Sequence, residues 1–155
     1  MAFIRFLMLL ALVTWIGGIL FFAFVMAPAV FTVLPTRDLA GHVVAHTLPP
    51  LHWIGVVCAV VFLLCSTLDA LNRPGVQHGM SRNTLVTIML LLTLGSQLGV
   101  TRRMETLRRD MGAIDTVAAA DPRRLSFDRL HQLSTGLEGG VLLLGIATLY
   151  LIARE

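Results

Sequence analysis

An all-α bundle of four membrane-spanning helices is the fold class this sequence predicts, and three observations predict it. Residues 6–36, 39–68 and 83–101 contain no Asp, Glu, Lys or Arg, and 130–153 contains a single acid, Glu138. Each stretch reaches the roughly 20 apolar residues that a helix needs to cross a hydrocarbon core about 30 Å thick. The composition agrees, with 56% hydrophobic and 14% charged residues, where a soluble domain carries about 25% charged. All 12 basic residues are arginines placed beside the apolar stretches, as membrane proteins place the charges that set their orientation. No basic patch is interleaved with exposed aromatics, so the net charge of +3 does not point to nucleic acid.

One integral membrane domain, 1–155, is expected, with spans at about 2–34, 51–71, 83–101 and 136–153. In the first, Ala27-Pro28-Ala29 superficially resembles a signal-peptide cleavage site. A signal core is about 7–15 residues and this apolar run is about twice that, so it reads as a retained span. Pro28 should kink it by removing one backbone bond. Residues 35–50 read as a linker with a short amphipathic piece at 39–46, because Pro35, Pro49 and Pro50 punctuate it. Cys58 and Cys65 are seven apart in the second span. That is about 10 Å along a helix, too far for a mutual disulfide, and both are expected to pack. Asp69 and Arg73 are placed for a surface pair ahead of the turn signal Asn72-Arg73-Pro74-Gly75.

After the third span Met104, Leu107, Met111, Ile114 and Ala118 keep heptad spacing, and Phe127, Leu130, Ser134, Leu137, Val141 and Leu144 form a second stripe. The spacing predicts that the third helix continues to about residue 119 and that 102–135 forms an antiparallel helical hairpin projecting from the bundle. Asp121-Pro122 should start the return helix, as an N-cap followed by a first-turn proline. Four arginines flank one side of the membrane (Arg5, Arg73, Arg82, Arg154) and eight flank the other, which places the hairpin side in the cytoplasm.

The polar residues concentrate at the hairpin-side end. Residues 139–153 alone are too few to span, so Glu138 must lie inside the membrane boundary. Intramembrane acids are costly and are usually paired or functional. His131, Thr135 and Glu138 share a helix face, while Gln97, His52 and Arg103 come to a similar depth from other segments. His131, Glu138, Gln97, His52 and Arg103 therefore form the candidate ligand site. His42 and His46, four apart, can supply two ligands to one metal, with His52 and His131 completing an alternative divalent-metal or haem set. No cofactor is the leading expectation. Gly17-Gly18 and the pairs Gly95/Gly99 and Gly136/Gly140 offer small faces for helix packing or homo-oligomerisation.

Trp15-Ile-Gly-Gly-Ile-Leu-Phe-Phe22, Ala27-Pro-Ala-Val-Phe-Thr-Val-Leu34, Ala40-Gly41, Arg103-Met-Glu-Thr-Leu-Arg108 and Phe127-Asp-Arg-Leu-His-Gln-Leu-Ser134 resemble the bacterial domain-of-unknown-function family 4149. That family is related to eukaryotic transmembrane protein 205. The resemblance implies a four-helix protein of the bacterial inner membrane with no established reaction, and relatives associated with platinum-drug resistance and export. It also implies an asparagine seven residues after His131, where this chain has Glu138. The functional expectation is a non-enzymatic protein that binds, or helps export, a small molecule or metal-like solute. The alternatives are a haem- or metal-binding redox protein and a scaffold that docks a partner on its hairpin.

Overall fold

The computed structural model describes residues 2–72 and 79–154, the side chains of 79 and 80 excepted. Four long helices carry it: α1, Ala2–Val33; α2, Arg37–Asn72; α3, Ser81–Met111; and α4, Pro122–Ala153. At 1.5 Å per residue these are roughly 46–54 Å long, so each extends past an apolar layer about 30 Å thick. Each helix packs on its neighbour in the chain and α1 packs on α4, closing an up-down-up-down ring. Arg5 Nη2 donates to Ile152 O at 2.9 Å, joining the start of α1 to the end of α4 at one end of the ring.

The interior is a seam of apolar side chains at helical spacing. Met8, Ala11, Leu12, Trp15, Ile16 and Ile19 of α1 meet Ala59 and Phe62 of α2, Val86 and Met89 of α3, and Val141 and Ile152 of α4. Cys58 and Cys65 are buried free thiols of the same core, as packing residues should be. The outside is equally apolar: Phe3, Phe24, Val57, Leu64, Leu91 and Leu143 are all more than half exposed. A soluble protein does not expose contiguous apolar surface on this scale; a lipid-facing one must.

Two features bend the rules of a straight α-helix. Ahead of Pro28, α1 widens into a π turn at Phe22–Met26, and the Ala27 N–H reaches back to Phe22 O. The proline ring cannot donate and crowds the carbonyl four residues earlier, so the wider turn absorbs the mismatch. A second π turn, Ser96–Thr101, interrupts α3.

The expected linker at 35–50 is helix instead. α2 begins at Arg37 and runs through Pro49 and Pro50 without a break. Thr36 Oγ1 accepts the Leu39 N–H at 3.1 Å and starts it. The two prolines are adjacent, so their missing donors fall within one turn. The carbonyls that lose a donor are those of Ala45 and His46, and just before them Thr47 Oγ1 donates to Val43 O at 2.9 Å and His46 Nδ1 bonds His42 O at 2.8 Å.

The third helix is shorter than its heptad stripe suggests. It ends at Met111, where Gly112 takes φ +67°, a conformation that favours glycine. Residues 112–121 hold only a short 3₁₀ turn, Ile114–Thr116. They fold back on the start of α2: Ile114 N–H donates to Asp38 Oδ1 at 3.3 Å, and Asp38 N–H to Asp115 Oδ2 at 3.2 Å. These reciprocal bonds draw the backbone away from the helix that Ile114 and Ala118 would have continued. Residues 73–75 of the expected turn, and with them Arg73 of the expected Asp69–Arg73 pair, lie outside the described residues.

The start of α4 is as expected. Asp121 Oδ1 accepts the Arg123 N–H at 2.8 Å with Pro122 at the first position. The Arg123 guanidinium and backbone N–H hold the Asp121 carboxyl well below its usual range, down to about 2. A depressed carboxyl contributes stability above its unfolded value, near 3.9, and loses it as pH falls through the folded one. Hydrogen exchange at the Arg123–Leu125 amides should therefore keep its protection down to about pH 3 and accelerate below that. In Asp121→Ala those amides should exchange fast throughout. Equal protection in the two proteins would remove the cap from this account.

Packing glycines also differ from expectation. A Cβ built on Gly17, Gly95, Gly99 or Gly136 meets nothing within 4 Å, and one on Gly140 only touches Leu92 Cδ1 at 3.8 Å. Within one copy Gly17, Gly95, Gly99 and Gly136 therefore lie on no interhelical seam, and Gly140 makes an ordinary contact with α3. Gly18 does lie on one, since its Cβ would press Leu51 Cδ1 at 2.9 Å. The tightest approaches are at Gly55 against the Trp15 ring, Gly41 against the Arg108 guanidinium, and Gly145 against Ile16 Cγ1 at 2.8 Å.

Candidate functional site

The polar centre of the bundle is His52. It sits on α2 two residues past the proline pair, and is 1% exposed. Its Nδ1 lies 2.7 Å from Gln97 Oε1 of α3, and its Nε2 lies 3.2 Å from Glu138 Oε2 of α4. Three helices thus each contribute one group. The carbonyl oxygen of Gln97 can only accept, so Nδ1 carries a proton and Nε2 is the atom that exchanges one with Glu138. A proton on this contact can sit on Nε2, giving imidazolium with carboxylate, or on Oε2, giving neutral imidazole with carboxylic acid. Both forms use the same atoms and have the same net charge.

Gln97 reaches His52 from within the π turn of α3. Such a turn holds one residue more than an α-turn and re-aims the side chains that follow. On this helix Thr93, Ser96 and Thr101 are also buried, and their hydroxyls have no hydrogen-bond partner among the described residues. Helical Thr and Ser usually bond the carbonyl four residues back, as Thr148 does to Leu144 O at 2.8 Å. The unpartnered hydroxyls bracket Gln97 in the chain, within about a turn on either side.

Of the five expected ligand residues, His52, Gln97 and Glu138 are brought together. His131 and Arg103 are not. Both are exposed, and the bond nearest the His131 ring on α4 is that of Thr135 Oγ1 to the His131 carbonyl at 3.0 Å. Glu138 faces α2 two turns deeper, so the expected His131–Glu138 pairing is replaced by His52–Glu138. The alternative metal set does not converge either. His42 and His46 lie at the rim with ring centroids 6.4 Å apart, while both ring nitrogens of His52 are engaged by Gln97 and Glu138. Among the described residues no three His, Cys, Asp or Glu are grouped to hold a metal ion.

A second polar cluster was not anticipated as a unit. Asp38, His42 and His46 of α2 face Glu105, Arg108 and Arg109 of α3 across a cavity of about 400 Å³, closed by Gly112 and Ala113. His42 Nε2 is 3.5 Å from Asp38 Oδ2, and Arg109 Nη2 is 3.7 Å from Glu105 Oε2. The sequence clue was Gly41: a glycine at that position lets Arg108 lie flat on α2.

Four long apolar helices, an apolar exterior and a His52–Glu138 pair joining two of them define a small multi-pass integral membrane protein. Residues 10–113, more than half of the chain, match the family described as a domain of unknown function, DUF4149, and the chain belongs to that family. The match covers most of α1 and all of α2 and α3, including His52 and Gln97, and stops short of Glu138. No curated protein and no solved structure matches.

Proposed function

We propose that this DUF4149 protein binds a small cationic or metal-like solute within the bundle and helps move it across the membrane. The observation that supports this most directly is the buried His52–Glu138 contact of 3.2 Å, together with three partnerless hydroxyls within about one turn of Gln97 along α3. A buried hydroxyl without a partner costs about 1–3 kcal/mol. Three such groups on the helix that supplies Gln97 suit a path that a polar guest traverses better than a core built only for stability. A cation arriving at Glu138 stabilises the carboxylate, so the proton shared with His52 leaves from Nε2 to solvent. His52 ends neutral, with its Nδ1–H still on Gln97. Departure of the cation reverses the step, which couples solute movement to a proton.

The link to eukaryotic transmembrane protein 205 and drug export that the family resemblance implies is in line with this reading. The arginine asymmetry favours a cytoplasmic 112–121 connection, in the bacterial inner membrane that the family resemblance implies. A cysteine at Ala119, with Cys58 and Cys65 replaced, would then resist impermeant thiol reagents in intact cells and react once they are permeabilised. The outward Gly95, Gly99 and Gly136 leave room for a second copy against α3 and α4.

The test is efflux of ethidium and of cadmium ions from vesicles containing the purified protein and an enclosed pH dye. Wild-type protein should accelerate release of at least one probe with a matching proton flux. Glu138→Gln and His52→Ala should reduce that rate to the level of protein-free vesicles. Wild-type rates equal to those of empty vesicles for both probes, or unchanged in both variants, would refute the proposal.

A further inference from the structure

The rim cavity between α2 and α3 holds a cation, Arg108, whose charge Asp38 favours through space without a hydrogen bond between them. Arg108 is partly buried, its Nε is fully shielded, and none of its N–H groups has a hydrogen-bond partner among the described residues. Its guanidinium lies over the Phe127 ring, 5.7 Å from the centroid, and against the backbone at Gly41. The two acids that line the cavity are engaged elsewhere. Asp38 takes the Ile114 amide on one oxygen and faces His42 with the other, and Glu105 pairs with Arg109. A guanidinium has five donors in a planar fork that matches the oxygens of phosphate. Leaving the shielded Nε–H unmet is costly, and the aromatic ring behind offers only the weaker cation–π contribution.

The surroundings narrow the ligand. The cavity is about 400 Å³, the size of a small-molecule site. It lies on the first turns of α2 and the last turns of α3, the parts of those helices that extend beyond the apolar layer. His42 and His46 form the α2 wall and Arg109 stands at the mouth. We infer that this cavity is a binding site for a phosphate oxyanion at the membrane surface, gripped by Arg108 and walled by His42 and His46. The phosphate is that of a phospholipid headgroup or of a soluble phosphomonoester; both offer the same oxygens to the same fork.

The test uses the full-length protein in detergent, with native mass spectrometry and thermal unfolding as readouts. The probes are phosphatidylglycerol, phosphatidylcholine with the same acyl chains, and glycerol 1-phosphate. Wild-type protein should retain phosphatidylglycerol or bind glycerol 1-phosphate with a rise in unfolding temperature. Arg108→Gln should weaken that binding by about tenfold to a hundredfold, the worth of a charged hydrogen-bonded contact. Gly41→Ala keeps the charge but displaces the guanidinium, and should weaken binding in the same direction. Arg129→Gln, an exposed arginine outside the cavity, should not. Binding of glycerol 1-phosphate as well as lipid identifies a site for the headgroup alone, and binding of phosphatidylglycerol only identifies a lipid site. No preference over phosphatidylcholine together with no effect of glycerol 1-phosphate would overturn the inference. So would equal affinity in wild type, Arg108→Gln and Gly41→Ala, with helicity by circular dichroism showing that all three are folded.

Discussion

Replacing His52 by leucine should destabilise the bundle by about 3–5 kcal/mol, the usual result of removing one partner from a buried ionisable pair. The substitution strands Gln97 Oε1 and Glu138 Oε2 at once, since His52 is the hydrogen-bond partner of both. Glu138 retains a side-chain exposure of 16%, which places the effect toward the lower part of that range. Glu138→Gln should behave differently. A glutamine amide can still donate to Nε2, so the bond survives without its charge and stability should change by about 1 kcal/mol or less. The double variant His52→Leu/Glu138→Leu should recover part of the loss, with a coupling of about 1–3 kcal/mol. Reversible unfolding of the four proteins in mixed micelles measures the cycle. Additive losses would mean that the two side chains do not act on each other. If Glu138→Gln stops solute movement while remaining stable, the charge serves transport and the hydrogen bond serves the fold.

The largest packing effect is expected at Gly55. An alanine Cβ there would fall inside the Trp15 indole, near Nε1 and Cε2. Trp15 is 2% exposed and belongs to the central seam, so it has little room to retreat. Overpacking of this kind costs about 1–3 kcal/mol, and a rigid bicyclic ring places Gly55→Ala toward the upper end. Trp15→Phe alone should also be destabilising, because it leaves a cavity. Combined with Gly55→Ala, the smaller ring should accept the added methyl, so the double variant should be more stable than the sum of the singles predicts. Unfolding midpoints of the three variants decide this. A double variant worse than either single would place the clash elsewhere than on the indole.

Depth was legible in the sequence and angle was not. The charge-free stretches located the four crossings, and the impossibility of spanning with residues 139–153 located Glu138 inside the boundary. Its companions Gln97 and His52 followed from depth alone. The pairing went to His52 in place of His131 because sharing a face on one helix says nothing of which neighbour that face meets. The π turn at Ser96–Thr101 adds to the difficulty: it inserts a residue in mid-helix, and periodicity counted from one side of it no longer holds on the other. The heptad stripe of α3 misled for a different reason. Spacing reports what a helix could bury if it continued, and here Gly112 and the Asp38 bonds end it first. Among the glycines, the paired motifs drew attention while the functional contacts were made elsewhere. Gly55 stands four residues before Ala59, a small-residue pair at the α1–α2 contact that the sequence reading did not single out.

The apolar exterior changes how the rest of the sequence should be read. In the most apolar window of each of the first three helices only 33% of residues are buried, and in α4 only 22%. Most of the leucines, valines and phenylalanines in this chain therefore name a medium, not a partner. Exchanging them among themselves leaves that message intact, because hydrocarbon makes no demand on shape. The structural information is carried by a minority: the small residues where helices touch, and the few polar ones whose position oil does not forgive. In a protein of this kind, sameness of hydropathy between two chains says little about kinship, and a handful of glycines, histidines and arginines says nearly all of it.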